Sequence, residues 1–191
     1  MAATKEYSCI RKTKRALAES LALLSQEKPL NKITVKEICE KAELSRNAFY
    51  THYPDINGLL DEIEKNTLAR VSEILQEFVD GAFPQNMLTT LQRLLDLFTA
   101  ENKNTMLMLL DSANTAFLNN FKKMLGEFFF EYFRDFDNAG FERTYDYFFA
   151  FIAEGMIGML RLWLHNPENM SKEVFSYMCY VMIRRLLPME G

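Results

Sequence analysis

The stretch Leu44–Leu60 reads LSRNAFYTHYPDINGLL, and its aromatic residues decide how the chain is read. Between Ser45 and Pro54 there is room for barely two helical turns, yet Phe49, Tyr50 and Tyr53 fall there, interleaved with Arg46, Asn47, Thr51 and His52. A helix this short is marginal in water by itself. Other helices must hold its apolar side, and its polar side must face something outside the core.

Working outward, Ser45 is a helix-capping residue type, and Pro54 ends the helix because proline disfavours the helical conformation of the residue before it. Upstream, Thr34-Val35-Lys36-Glu37 is a T-x-x-E capping box that starts a second short helix with Val35, Ile38 and Cys39 turned inward. Ile10, Leu17, Leu21 and Leu24 recur at helical spacing on a first segment, which Lys28-Pro29 stops. A long fourth helix is expected from about Asp55 to Val79. Two short helices joined by a tight turn, with a third to bury their inner faces, make a helix-turn-helix. Leu44 and Phe49 belong inside it. Cys39 falls where the two short helices cross, and its expected role is packing.

The outward residues are of the right kind to read nucleic acid. Arg46, Asn47, Tyr50 and Thr51 occupy the first turns of the short helix, the part that meets base edges when such a helix enters a major groove. Thr34 and Ser45 sit at helix N-termini, where backbone N–H groups suit phosphate oxygens. The basic flank Lys5, Arg11, Lys12, Lys14 and Arg15 strengthens that reading over a merely solvated face. Charge is segregated along the chain: residues 1–54 hold ten Lys/Arg and six Asp/Glu, whereas residues 55–191 hold twelve and twenty, for an overall −4. Only the N-terminal third is suited to a polyanion.

These residues resemble the DNA-binding domain of the tetracycline-repressor (TetR) family of bacterial transcription regulators. The family pattern is roughly T-V-x-x-I-A-x-x-A-G-V-S-x-x-x-x-Y-x-H-F-x-x-K-x-x-L. Thr34, Val35, Ile38, Ala42, Ser45, Tyr50, His52, Leu59 and Leu60 match it, Tyr53 stands for the usual phenylalanine, and the match covers about residues 10–65. The resemblance implies an all-helical homodimer that binds a palindromic operator and releases it when a small molecule enters the C-terminal domain. It implies a DNA-contacting set of Ser45, Arg46, Asn47, Tyr50, Thr51 and His52, beside which Thr34 and Lys36 at the start of the second helix are further candidate contacts. Two positions depart from the pattern. Glu43 stands where glycine is usual, and a left-handed backbone there would cost about 1–2 kcal/mol. Ile56 replaces the usual lysine, so one phosphate contact is missing.

The rest of the chain keeps the helical period over roughly 85–100, 104–113, 115–136, 142–165 and 171–187, with breaks at Gly81 or Pro84, Glu101-Asn102-Lys103, Asn138-Ala139-Gly140 and Asn166–Asn169. No run alternates as a strand does. The fold class is therefore all-α: an N-terminal helix-turn-helix three-helix domain, residues 8–65, joined by a long helix to a C-terminal helical ligand-binding and dimerisation domain, residues 66–191. Tyr147–Leu164 is apolar all round apart from Glu154 and Arg161. A membrane span would have to insert both charges, at about 2.5–3.5 kcal/mol each. Burial against the domain's own core on one side and a second copy on the other is the economical alternative. This segment and the helix near 171–187 are expected to pair across a two-fold axis through Ile157, Trp163, Met178 and Met182. Gly155 and Gly158 fit either close approach of a partner or ordinary core packing.

The middle helices are rich in Phe and Met, including Phe117 and Met124. Phe98, Phe121 and Phe128 are guessed as walls of an apolar effector pocket. Enzyme chemistry has little support: the two histidines are His52 and His165, and the chain has neither a Glu-x-x-His pair nor a glycine-rich phosphate loop. No cofactor or metal is expected. Three cysteines without paired spacing, and no apolar leader with a cleavage site, point to the cytoplasm. The reading is a DNA-binding transcriptional repressor acting as a homodimer under a small-molecule effector. The runner-up is a TetR-like module that works through protein–protein contacts instead of DNA.

Overall fold

A computed structural model of the chain describes residues 2–79, 85–99, 103–111, 114–133 and 141–186. Among them there are nine α-helices and no strand: α1 (Ala2–Ser25), α2 (Val35–Lys41), α3 (Arg46–His52), α4 (Ile56–Val79), α5 (Gln85–Thr99), α6 (Lys103–Leu109), α7 (Thr115–Phe133), α8 (Phe141–His165) and α9 (Lys172–Leu186). Single 3-10 turns at Leu30–Lys32 and Pro167–Asn169 fill two of the connections. Helix ends fall within a few residues of the sequence expectation, except that Lys103, read as part of a break, opens α6. Gly81, Pro84, Glu101-Asn102 and Asn138-Ala139-Gly140 lie outside the described residues.

The chain forms two compact units: Met1–Thr67 with Asn102–Asp111, and Leu68–Glu101 with Ser112–Gly191. In the first, α1 packs on α2, α3 and α6. Leu17 and Leu21 are fully buried and Leu24 nearly so, whereas Ile10, expected on the same stripe, is exposed. Position 10 lies two turns before Leu17, the first buried residue of α1 among those whose side chains are described. Helix α6 supplies Met106, Leu107, Met108 and Leu109, all buried, so a segment far along the chain completes this core. The boundary expected at residue 65 thus falls inside α4, and the first unit is not continuous in sequence.

In the second unit α5 packs principally on α9, and α8 packs on α7 and α9. Met87 of α5 and Ile183 of α9 form a buried nucleus, with Leu91, Phe128, Phe129 and Met156 packed around it. Trp163 stacks on Phe175 with ring centroids 4.8 Å apart, and its indole N–H donates to the carbonyl of Met170 at 2.8 Å. Ion pairs Lys172–Asp96, Arg93–Glu77 and Lys122–Glu154 join neighbouring helices at the surface. Within α8, Tyr145–His165 is long and apolar enough to cross a membrane by length and composition alone.

Candidate DNA-reading surface and apolar cavity

The reading head is built from local chemistry. Thr34 is extended and caps α2: its hydroxyl accepts from the Glu37 N–H at 3.3 Å, while the Glu37 carboxylate accepts from the Thr34 N–H at 2.9 Å. The expected capping box is therefore complete, and it satisfies two of the otherwise orphan donors of the first turn. Lys28 adds a 2.5 Å ion pair to the same carboxylate. Hydrogen bonds from Lys28 first, then from Thr34, pull the Glu37 carboxyl down to about 2.

The turn that follows is a Schellman motif. The Leu44 N–H donates to the Cys39 carbonyl at 2.9 Å and the Glu43 N–H to the Glu40 carbonyl at 3.3 Å. Such a motif needs a left-handed residue, and Glu43 supplies it with φ 56°, the only non-glycine among the described residues at positive φ. Ser45 then caps α3, its hydroxyl accepting from the Ala48 N–H at 3.1 Å. Phe49 is fully buried, with Tyr50 edge-on at 5.5 Å and Tyr53 at 5.8 Å. Cys39 is buried as expected, and burial raises its thiol pKa despite the nearby Arg46 charge. Val35 and Leu44, expected inside, are half-buried.

Thr34, Lys36, Ser45, Arg46, Asn47, Tyr50 and Thr51 all lie at the surface of this unit, and His52 is half-buried. Tyr50 is 56% exposed although aromatic, because Phe49 beside it takes the interior position. The Thr51 hydroxyl donates to the Asn47 carbonyl at 2.8 Å and keeps lone pairs for an outside donor. Ile56 is half-buried at the start of α4, where Asp55 accepts from the Gly58 N–H at 2.9 Å.

The basic flank is less free than the sequence implied. Lys14 donates to Glu62 at 2.7 Å, and Arg15 to Glu19 at 2.7 Å. Arg11 and Lys12 are exposed; the Lys5 side chain lies outside the described residues. The Lys14 pair belongs to a network that sequence reasoning missed. Tyr53, buried, donates its hydroxyl to Glu62 at 3.0 Å, and the Lys14 ammonium lies 5.2 Å from the centre of the Tyr53 ring. Helices α1 and α4 and the end of α3 are thus tied through one carboxylate. Burial, then the Glu62 bond, raises the Tyr53 pKa and keeps the hydroxyl a donor.

The second unit holds a partly open apolar cavity of about 120 Å³ reached by side chains of α4, α5, α7, α8 and α9. Phe98, Phe121 and Phe128 all line it, and so do Leu75, Ile157 and Cys179. Ile157 and Trp163, expected at a dimer interface, are buried in the unit's own core, at 4% and 7% exposure. Met178 is half-buried and Met182 exposed. The outward stripe of α8 and α9 consists instead of Tyr147, Phe151, Leu162, Val174, Tyr177 and Met182. Gly155 and Gly158 lie on it, and among the described residues nothing comes within 4 Å of where a Cβ would project.

A family profile described as "Bacterial regulatory proteins, tetR family" matches residues 14–63, and one described as "Transcriptional regulator C-terminal region" matches residues 85–185. The nucleoid occlusion factor SlmA of Colwellia psychrerythraea is 32% identical over 81 residues, 40% of this chain and 41% of that one. The match therefore spans about two fifths of that relative's length. Three solved structures share the fold. A TetR transcriptional regulator from Streptococcus agalactiae has a TM-score of 0.59 at 24% identity, covering 96% of this chain and 99% of that one. A TetR-family regulator from Syntrophomonas wolfei has 0.64 at 15%, covering 92% and 95%. The dihydroxyacetone kinase operon activator DhaS has 0.57 at 18%, covering 94% and 98%.

Proposed function

Because this chain belongs to the TetR family of bacterial transcriptional regulators, we propose that it acts in the cytoplasm as a homodimeric repressor that reads a palindromic operator with α3 and releases it on binding a small-molecule effector in its second unit. The observation that supports the reading most is α3 itself: a seven-residue helix held by one fully buried phenylalanine while Arg46, Asn47 and Tyr50 stay exposed beside it. Exposed donors and acceptors at i, i+1 and i+4 share one helical face, and Arg and Asn are the residue types that make paired hydrogen bonds to guanine and adenine edges.

Support for the dimer comes from the exposed stripe on α8 and α9, an apolar surface with two glycines that leave room for another helix. Two helices from each protomer across a two-fold axis would bury it as a four-helix bundle. Repression is the sign this arrangement needs least to achieve, since an occupied operator overlapping a promoter excludes polymerase with no further contact.

The deciding experiment is a mobility shift with the full-length protein on the DNA upstream of its own coding region. One retarded species that survives excess non-specific DNA and protects a palindrome is the expected result. If no sequence is protected at any salt concentration, operator binding is refuted and a module acting through protein contacts takes its place.

A further inference from the structure

We infer that the cavity of the second unit is a site for a compact, uncharged, hydrophobic molecule about the size of a single aromatic ring. The inference deepens, and rests on, the effector reading, for which it supplies the ligand class. Its first support is composition. Among the described residues five helices contribute to the wall and no charged side chain is part of it; the polar residues that reach it are Thr90 and Cys179. Burial lifts the Cys179 pKa to about 11, so it stays a neutral thiol. Cross-helix ion pairs of this unit lie at its surface in Lys122–Glu154, Arg93–Glu77 and Lys172–Asp96. A carboxylate or ammonium carried into the cavity would meet no counter-charge and almost no hydrogen-bonding partner, and burying a charge on those terms is strongly unfavourable.

The second support is size. An apolar cavity of about 150 Å³ stays dry and takes benzene or xenon; this one, at about 120 Å³, is of the same order. Drug-sized ligands occupy roughly 300–1,000 Å³. Methionines 87 and 156 and several phenylalanines line the wall, and the flexible thioethers let it adjust to a molecule slightly larger than the void. A charged group carried inside is disfavoured by the apolar lining, and large polycyclic compounds by volume.

The test uses full-length protein with toluene, and with benzoate and benzylammonium as charged counterparts of similar size. Isothermal calorimetry and thermal unfolding should show saturable toluene binding and a rise in Tm, with at least tenfold weaker binding of either ion. Methyl NMR locates the site without any substitution: toluene should shift Met87 and Met156, which line the cavity, and leave Met106 and Met108, in the core of the first unit, unmoved. A Leu94→Phe variant, which adds volume at a half-buried wall position, should weaken toluene binding at least tenfold. Equal binding of the ions, no toluene binding to the wild type, or shifts confined to other methionines would each overturn the inference. Operator mobility shift with and without toluene is read separately. Toluene that binds but leaves operator affinity unchanged refutes the effector reading and leaves the ligand class standing.

Discussion

Glu43 holds a left-handed backbone that glycine would adopt without strain, and it does so because the Schellman turn between α2 and α3 needs that conformation. Glu43→Gly should therefore stabilise the protein, by up to about 1 kcal/mol after glycine's extra unfolded-state entropy is subtracted, as read by chemical denaturation. A loss of stability on that exchange would mean that the glutamate side chain compensates for its backbone. Arg46→Ala and Tyr50→Ala act on the exposed face instead: each should weaken specific operator binding at least tenfold while changing stability by less than about 1 kcal/mol. Unchanged operator affinity in both variants would remove α3 from the reading role. These residues were legible in the sequence because capping, turn chemistry and helical spacing are local. Lys14 was not. Its partner Glu62 lies 48 positions away, so only the packing of α4 against α1 turns a residue of the basic flank into an internal tie.

Helix α2 depends on a capping carboxylate, and that dependence has a pH signature. The Glu37 carboxyl titrates near 2 when folded against 4.5 for the ordinary group, so its contribution to stability is fully present above about 4.5 and is lost as pH falls towards 2. Glu37→Gln should flatten the acid limb of the stability profile within that window, measured as denaturant midpoint against pH; parallel profiles for the two proteins would show that the capping carboxylate has no part in acid unfolding. Helices α8 and α9 make a different case. Their extents followed from period and punctuation, but a helix apolar on every side does not reveal which side meets its own core, and the sequence reading chose Ile157 and Trp163, which the core had already taken. Leu162 and Tyr177, at 70% and 59% exposure, are the positions where a charge tests the pairing of copies. Leu162→Glu or Tyr177→Glu should give a folded monomer by sedimentation, because the charge is hydrated in the single chain and buried unpaired only in the dimer. A wild-type protein that is already monomeric at micromolar concentration would end that proposal.

At the scale of the molecule, α4 is the one described helix that contributes to both units, its residues up to Thr67 to the first and from Leu68 onward to the second. Near one end Glu62 holds Lys14 and Tyr53 of the reading head; near the other Leu75 lines the cavity. Glu62 and Leu75 lie thirteen positions apart on the same helix. On the proposed effector reading, a ligand that displaces Leu75 would act on the anchor of α3 through α4, without touching any base-reading side chain. A coupling of about 1–3 kcal/mol changes operator affinity roughly 5- to 150-fold, and reciprocity requires operator DNA to change ligand affinity by the same factor. On the same reading, stiffness of the intervening turns would carry the effect. Asn66 and Ala69 are exposed there, so replacing both with glycine removes no buried contact while costing helix propensity, up to about 1 kcal/mol at the alanine and less at the asparagine. The double variant Asn66→Gly/Ala69→Gly should bind operator and cavity ligand each within a few-fold of wild type, yet show a coupling factor reduced towards one in paired titrations. Retention of the full wild-type factor would mean that the signal does not travel along α4.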